Sequence, residues 1–305
     1  MPSRVAGYAV PQLRGGSDFA GLRCGSSASA ESVFGLGASL AERLTTGSPV
    51  ALRPRSVAAP AAAALPTVSL TVAVGLGPGG LRLVCGELLL VHAASGGVGL
   101  AALAAARRLG AQVLGTASSA AKAQALRLRG LRLVAPSRHG RSFLLDFFDF
   151  DFAAPVVAPA VAAVLNSLTH DDFVPRSLTV LVPGGRILEL GKLKAWSAAE
   201  VAAMRRDVQY AALLLDRRTS EAPCTLLTEL RATADRASQG QGLLPLTLFS
   251  FNEVVDALKM FQQARHIGKI VLTMAPSCSA AMEKEFSLDM RYLMERASTP
   301  ASSRQ

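Results

Sequence analysis

From residue 87 to 237, short apolar runs alternate with stretches in which apolar positions recur every three or four residues. The first period is that of buried strands and the second that of helices packed on a sheet. Strands are expected at Glu87–His92, Gln112–Thr116, Leu131–Ala135, Val161–Leu165, Arg186–Leu190 and Gln209–Leu215. Helices are expected at Gly97–Leu109, Ser119–Arg129, Asp171–Val180 and Cys224–Ala237, with Gly110 and Gly130 as stops. Pro183-Gly184-Gly185 reads as a turn into the strand that follows. This repeated order predicts an α/β fold, a doubly wound parallel sheet with right-handed crossovers.

The flanks have a different pattern. Met1–Ser32 is rich in Gly, Ser and Ala, and only the segment from Gly16 to Leu22 suggests a strand. Val33–Leu44 suggests a turn with a short strand or helix, and Val50–Pro54 a further short strand. Ser56–Leu81 carries no charge, but Pro60, Pro66 and Pro78 interrupt it, so it is expected as buried interdomain helix and turn and not as a membrane span. Pro66 kinks or restarts the helix there. Near the end, Leu246–Ser250, Asn252–Ala264 and Lys269–Thr273 read as strand, helix and strand returning to the first region. Phe143–Phe152 is acidic and aromatic without a clear period. Ala280–Arg296 has helical spacing, and Ser298–Gln305 is a polar tail. The expected organisation is 1–76, a small substrate domain; 77–243, a nucleotide-binding domain; 244–275, a return to the first; and 276–305, a terminal helix and tail.

The candidate chemistry sits where the first strong strand turns into the first helix. Ala94-x-Gly96-x-x-Gly99 matches the dinucleotide fingerprint with Ala in the first position. Ala94 is expected to allow the tight turn, Gly96 to let backbone approach a pyrophosphate, and Gly99 to let helix pack on strand. The phosphates then meet free N–H groups and the positive end of the helix dipole. In an NAD site an acidic residue near the end of the second strand bonds the ribose 2′-hydroxyl. Here that place holds Ser118 and Ser119, followed by Lys122, which suits a 2′-phosphate and favours NADPH. Ser119 is also suited to cap its helix.

Composition narrows the picture only slightly. Half the residues are hydrophobic and 5% aromatic, so the core is mainly Ala, Leu and Val. The formal charge of +10 suits polyanions, but the Arg residues are spread along helices without interleaved aromatics, so nucleic acid is not the expected partner. The four Cys and four His are scattered without metal-ligand spacing, so no metal is expected and a reducing, cytoplasmic setting is. Met1–Ala20 lacks the continuous apolar run of a secretory signal.

Four segments carry a resemblance. Leu89 to Ala102 around the fingerprint, Val164-Leu-Asn-Ser-Leu168, Pro183-Gly-Gly-Arg-Ile-Leu-Glu-Leu-Gly-Lys192 and Gln263-Ala-Arg-His-Ile-Gly-Lys269-Ile-Val-Leu272 resemble, in order, the enoyl reductase domain of polyketide synthases and animal-type fatty acid synthases. That domain belongs to the zinc-free, quinone-reductase-like branch of the medium-chain dehydrogenase/reductases. The resemblance implies a Rossmann domain with a GroES-like β-rich substrate domain, here truncated. It implies NADPH-dependent reduction of a trans-2-enoyl thioester held on an acyl carrier protein, with other synthase domains or a homodimer partner nearby. By position, Ala94, Ser95, Gly96, Gly97, Val98, Gly99, Ser118, Ser119 and Lys122 would bind the cofactor, with Gly96, Gly97, Gly99, Ser118 and Lys122 holding its phosphates. Asn166, Ser167 and Leu168, then Gly191 and Lys192, would lie beside the nicotinamide, and Lys269 would approach from the returning segment. Lys122 also matches a family lysine considered as proton donor, and Asn166 is a second catalytic candidate; for Lys122 the phosphate role is favoured. The family's Asn-Phe-Arg-Asp-like motif and its neighbouring Tyr are not found. That leaves two alternatives: a quinone-reductase-like enzyme, and a nucleotide-binding module of a synthase with impaired catalysis.

Overall fold

The computed structural model describes residues 18–23, 31–37, 46–137, 160–168, 172–191 and 196–273. Lys192, the stretch 143–152 and the segments 280–296 and 298–305 lie outside them.

The centre is a six-stranded parallel sheet built from β4 (Leu88–Val91), β5 (Gln112–Ala117), β6 (Leu133–Pro136), β7 (Val161–Asn166), β8 (Leu181–Glu189) and β9 (Gln209–Ala212). Its order is β6-β5-β4-β7-β8-β9, so the chain reverses direction of growth between β4 and β7. The doubly wound sheet expected from the sequence is therefore present, with its switch point beside the fingerprint. Leu89, Leu90, Val161, Ala163 and Val164 are completely buried, as continuous apolar strands covered on both faces must be.

Helices α3 (Gly97–Arg108) and α4 (Ala120–Leu128) follow β4 and β5. Both end as expected at a glycine. Gly110 (φ +72°) and Gly130 (φ +78°) take the left-handed conformation. Their N–H groups bond the carbonyls of Arg107 and Arg127, and those of Ala111 and Leu131 reach back to Ala106 and Leu126. This paired closure satisfies carbonyls the helix end would leave bare.

The Pro-Gly-Gly turn is corrected in detail. β8 runs through Pro183-Gly184-Gly185, and its register against β7 jumps from Val161↔Leu181 to Ala163↔Arg186. The turn is thus a bulge inside the strand, with Gly184 at φ +75°. Helix α5 (Phe173–Val180) precedes β8 directly. After it come α6 (Ala198–Met204), α7 (Leu215–Glu221) and α8 (Pro223–Ser238). β9 is shorter than the expected 209–215, because the chain turns at Leu213–Leu214 into α7.

A three-stranded antiparallel sheet, β1 (Asp18–Arg23), β2 (Glu31–Leu36) and β3 (Val50–Leu52), stands beside this core. Its described strands fit part of a GroES-like domain. Helices α1 (Ala59–Ala63) and α2 (Pro66–Leu76) join it to the large sheet, and Pro66 restarts the helix at its first position. Most of α2 is buried; at Gly75 an added Cβ would lie 2.9 Å from Leu188, so the helix rests against the sheet. No helix of the described residues is long and apolar enough to cross a membrane. The return is a two-stranded parallel sheet of β10 (Leu246–Ser250) and β11 (Lys269–Thr273), linked by a 3-10 turn and α9 (Val254–Gln262).

Candidate nucleotide site

The site begins with the way β4 ends. The backbone N–H of Ala93 donates to Thr116 Oγ1 at 3.1 Å, and that of Ala94 to the Thr116 carbonyl at 2.9 Å. These two bonds hold the turn against β5. Ala93, not Ala94, adopts the left-handed conformation, at φ +51°. A side-chain residue there costs about 1–2 kcal/mol, which the Thr116 bonds must offset.

Ala94 is small for another reason. It is fully buried between two glycines: a Cβ on Gly99 would lie 2.5 Å from its carbonyl oxygen, and one on Gly115 2.8 Å from its own Cβ. Gly99 therefore sets helix-to-strand packing as expected. Gly97 is also a packing glycine, because its added Cβ would meet Lys269 Cδ at 2.9 Å and Val68 at 3.0 Å. Gly96 differs. Its nearest obstacle would be the Ala93 carbonyl at 3.4 Å, and its φ of −76° is ordinary. It caps α3 with no side chain, so the first-turn N–H groups receive no side-chain oxygen, although Gly96 bridges to Gly268 of the returning segment. N–H groups without a side-chain cap, a favourable dipole and an open Gly96 are what an anion needs.

A buried polar layer lines the C-terminal strand ends. His92 is 2% exposed, its Nδ1 3.3 Å from Thr116 Oγ1 and its Nε2 2.9 Å from Ser177 Oγ. The Phe173 ring meets it edge-on at 5.4 Å. Burial drives the imidazole down to about 3, so it is neutral at ordinary pH. Asn166 has no exposed surface. Its Nδ2 donates to Glu189 Oε2 at 2.6 Å and to the Leu168 carbonyl at 3.1 Å, and its Oδ1 accepts from the Leu168 N–H. Glu189 is equally buried; its Oε1 accepts the Gly191 N–H at 2.5 Å. Desolvation pushes its carboxyl above the usual range, against the hydrogen bonds from Gly191, Asn166 and Leu190. Ser167 Oγ lies 3.5 Å from the His92 carbonyl, closing the crevice between β4 and β7.

Around the end of β5, Ser118, Ser119, Arg127 and Pro136 border a hollow of about 540 Å³ between α4 and β6. Ser119 caps α4 by accepting the Lys122 N–H at 3.3 Å. The Lys122 ammonium turns to the carbonyl of Ala264, in the returning segment, and the side chain is largely buried. His266 lies close by, its imidazole held down by burial and then by the charges of Lys122 and Lys269.

Lys269 reaches the fingerprint through its stem, while its Nζ pairs with Asp18 Oδ2 at 2.8 Å. Asp18 Oδ1 accepts both the backbone N–H (2.8 Å) and the hydroxyl (2.5 Å) of Thr67. A carboxylate from β1 thereby caps α2, whose own N-cap, Leu65, offers no oxygen. The Gly268 N–H bonds the Ser95 carbonyl at 2.9 Å, laying the returning strand on the loop.

The solved structure described as CurK enoyl reductase superposes on this arrangement with a TM-score of 0.74 and 29% identity, covering 85% of the chain and 78% of its own. The spectinabilin polyketide synthase system protein NorB of Streptomyces orinoci is 38% identical over 221 residues, 72% of this chain. The chain resembles an enoyl reductase domain of the medium-chain dehydrogenase/reductase type. The family described as zinc-binding dehydrogenase matches residues 146–272 of the enoyl-reductase-like domain. Zinc does not fit the described residues, which bring no three His, Cys, Asp or Glu side chains together. The quinone oxidoreductase of Escherichia coli complexed with NADPH shares the fold, with a TM-score of 0.68 at 20% identity over 84% of this chain and 81% of its own. The domain spans 10% of the length of NorB and 9% of a mycobacterial phthiocerol synthase subunit.

The structure thus gathers Ala94–Gly99, Asn166–Leu168 and Gly191 at the switch-point crevice, with Ser118 and Ser119 along the β5 end. Lys122 and Lys269 adjoin it with their ammonium groups turned to protein partners. The sequence reading missed His92, Thr116, Ser177, Glu189, Arg127 and Asp18.

Proposed function

We propose that the domain binds NADPH along α3 and the β5 end, and reduces the 2,3 double bond of a trans-2-enoyl thioester carried on an acyl carrier protein. The observation that carries the reading is the uncapped N-terminus of α3 beside an open Gly96 at the switch point. When bound, NADPH supplies the hydride. The first-turn N–H groups of α3 hold the pyrophosphate. Ser118, Ser119 and Arg127 border the hollow suited to the adenosine and its 2′-phosphate, and Lys122 stands in the first turn of the helix that flanks it. Asn166 is a positioning residue: its amide is wholly engaged by Leu168 and Glu189, fixing the 166–168 turn as a crevice wall. His92 is neutral and buried, so it keeps the layer dry and in register and does not donate the proton. That proton comes from water or from Lys122 after release of the Ala264 carbonyl. Reduction of an enoyl thioester places negative charge on its oxygen, which needs donors in a site without water.

A second reading, a nucleotide-binding synthase module without turnover, is favoured by one observation. Both catalytic candidates, Lys122 and Asn166, have their polar heads turned onto protein groups. The domain boundaries at 76, 243 and 275, partnership with other synthase domains, homodimer formation and the cytoplasmic setting remain part of this proposal. The experiment measures NADPH binding by fluorescence and NADPH oxidation with crotonyl-pantetheine. Binding with turnover supports the reductase, and binding alone supports the second reading. Turnover with free quinones but not with the thioester assigns the quinone-reductase alternative. No binding refutes all three.

A further inference from the structure

A second hollow lies beside the later turns of α3. It occupies about 590 Å³ between α2, α3 and α8. That volume falls in the range of small-molecule sites. Val72, Leu76, Leu83 and Ala105 form an apolar floor, and each is buried from bulk water. Arg108, in the last turn of α3, lies about 16 Å along that helix from Gly97 at the ~1.5 Å rise per residue. The hollow follows α3 from Ala101 to Arg108, beyond the first turn that carries the nucleotide loop.

The rim is cationic. Arg108 and Arg236 both border the hollow, each from the last turn of its helix. Among the described residues the Arg236 guanidinium bonds Thr233 Oγ1, at 3.0 Å. Neither arginine has a carboxylate partner among the described salt bridges. Glu229 shares the rim and makes no ion pair with either. A third cation, Arg82, is occupied by Gln209 at 2.8 Å. Burial and then the Arg236 charge hold the Arg108 guanidinium below its ordinary range. Two like charges thus face each other over an apolar cavity, an arrangement an anion would relieve.

We propose that this hollow is a second binding site, which takes a single-chain amphiphile of the fatty-acid type, its tail against Val72 and Leu76 and its carboxylate between Arg108 and Arg236. Apolar lining with a few convergent charges is what such a ligand requires. Another apolar surface could compete for the tail: Val255, Leu258 and Phe261 form an exposed stripe on α9.

The test is calorimetric titration of the whole chain with sodium decanoate below its micellar concentration. One site per chain is expected. Affinity should fall at least about tenfold in the R108Q/R236Q double variant, and 1-decanol should bind at least about tenfold more weakly than decanoate. A104F, which fills the hollow from α3, should abolish binding while NADPH affinity stays unchanged. Leu258→Ser should leave decanoate binding intact. The proposal is overturned by no decanoate binding, by equal affinity for decanol, by unaltered binding in the double variant, or by loss of binding in L258S. The glutamine variants decide the matter even where A104F does not fold.

Discussion

Gly96 and Gly99 are three residues apart on one turn, and the structure gives them opposite duties. In Gly99→Ala the new Cβ would stand 2.5–2.6 Å from the carbonyl O, carbonyl C and Cα of Ala94. All three are backbone atoms, so no side chain can move aside, and α3 must retreat by nearly ~1 Å to reach van der Waals contact. Overpacking of that kind costs about 2–3 kcal/mol, more than the ~1 kcal/mol alanine gains in helix propensity. For a unit of this size the melting temperature should drop by about 4–10 °C. In Gly96→Ala the nearest obstacle is 3.4 Å away and φ is already suitable for alanine. Stability should change by under ~0.5 kcal/mol. NADPH affinity should nevertheless fall about tenfold or more, because the methyl group occupies the path of the pyrophosphate. The assay is differential scanning fluorimetry with and without NADPH, on wild type and both variants. If G99A melts like wild type, the close packing of α3 on Ala94 is wrong. If G96A binds NADPH normally, the phosphate does not pass over the α3 N-terminus and the site assignment falls.

Other expectations are briefer. His92 has its folded value lowered from 6.5 to about 3, so the folded state resists protonation and stability is lost as pH falls below 6.5. The loss should reach about 3 kcal/mol between pH 7 and pH 4 in urea titrations, and shrink in His92→Asn. Glu189 carries the reverse sign. Its raised value means stability declines as pH rises from the ordinary carboxyl range through the folded value, and Glu189→Gln should flatten that portion of the profile. The same variant sets an amide against the two donors Asn166 Nδ2 and Gly191 N–H, at a cost of about 1–3 kcal/mol measured by chemical denaturation. Asp18→Ala removes acceptors from Lys269 and Thr67 together and should destabilise by about 2–4 kcal/mol, while Lys269→Met should cost less because that end is partly exposed. Lys122→Met should weaken NADPH binding while leaving NADH binding unchanged; equal weakening of both would remove the 2′-phosphate role.

The doubly wound core was legible because its signals are local. A run such as Leu88–Val91 and a glycine stop such as Gly110 each sit within a few residues of their effect. The fingerprint glycines were legible for the same reason, although the left-handed residue is Ala93 and not Ala94. The Pro183-Gly-Gly bulge was misread as a turn, since only the pairing of Val161 with Leu181 reveals that the strand has already begun. Helix α6 could have been found: Ser197 and Glu200 form a capping box whose Ser-x-x-Glu spacing is visible in the sequence. Glu189 had a signal too, a single carboxylate inside the apolar run Ile187–Leu190. Asp18 had none, because a lone acid in a poorly patterned segment gains meaning only from partners 49 and 251 residues away.

That separation bears on the order of assembly. The parallel sheet is made from strands and helices that follow one another along the chain, so its contacts can accumulate while little of the polymer is constrained. The joint of Asp18, Thr67 and Lys269 instead closes a loop comprising nearly the whole molecule, and such closures reward the chain only after their entropy has been spent. The three-stranded sheet and the returning strand should therefore dock last in folding and release first in local opening, as one cooperative unit. Amide hydrogen exchange would show it: protection of β1 and β11 should fall together in Asp18→Ala, while β4 and β7 keep the slow exchange of the global transition.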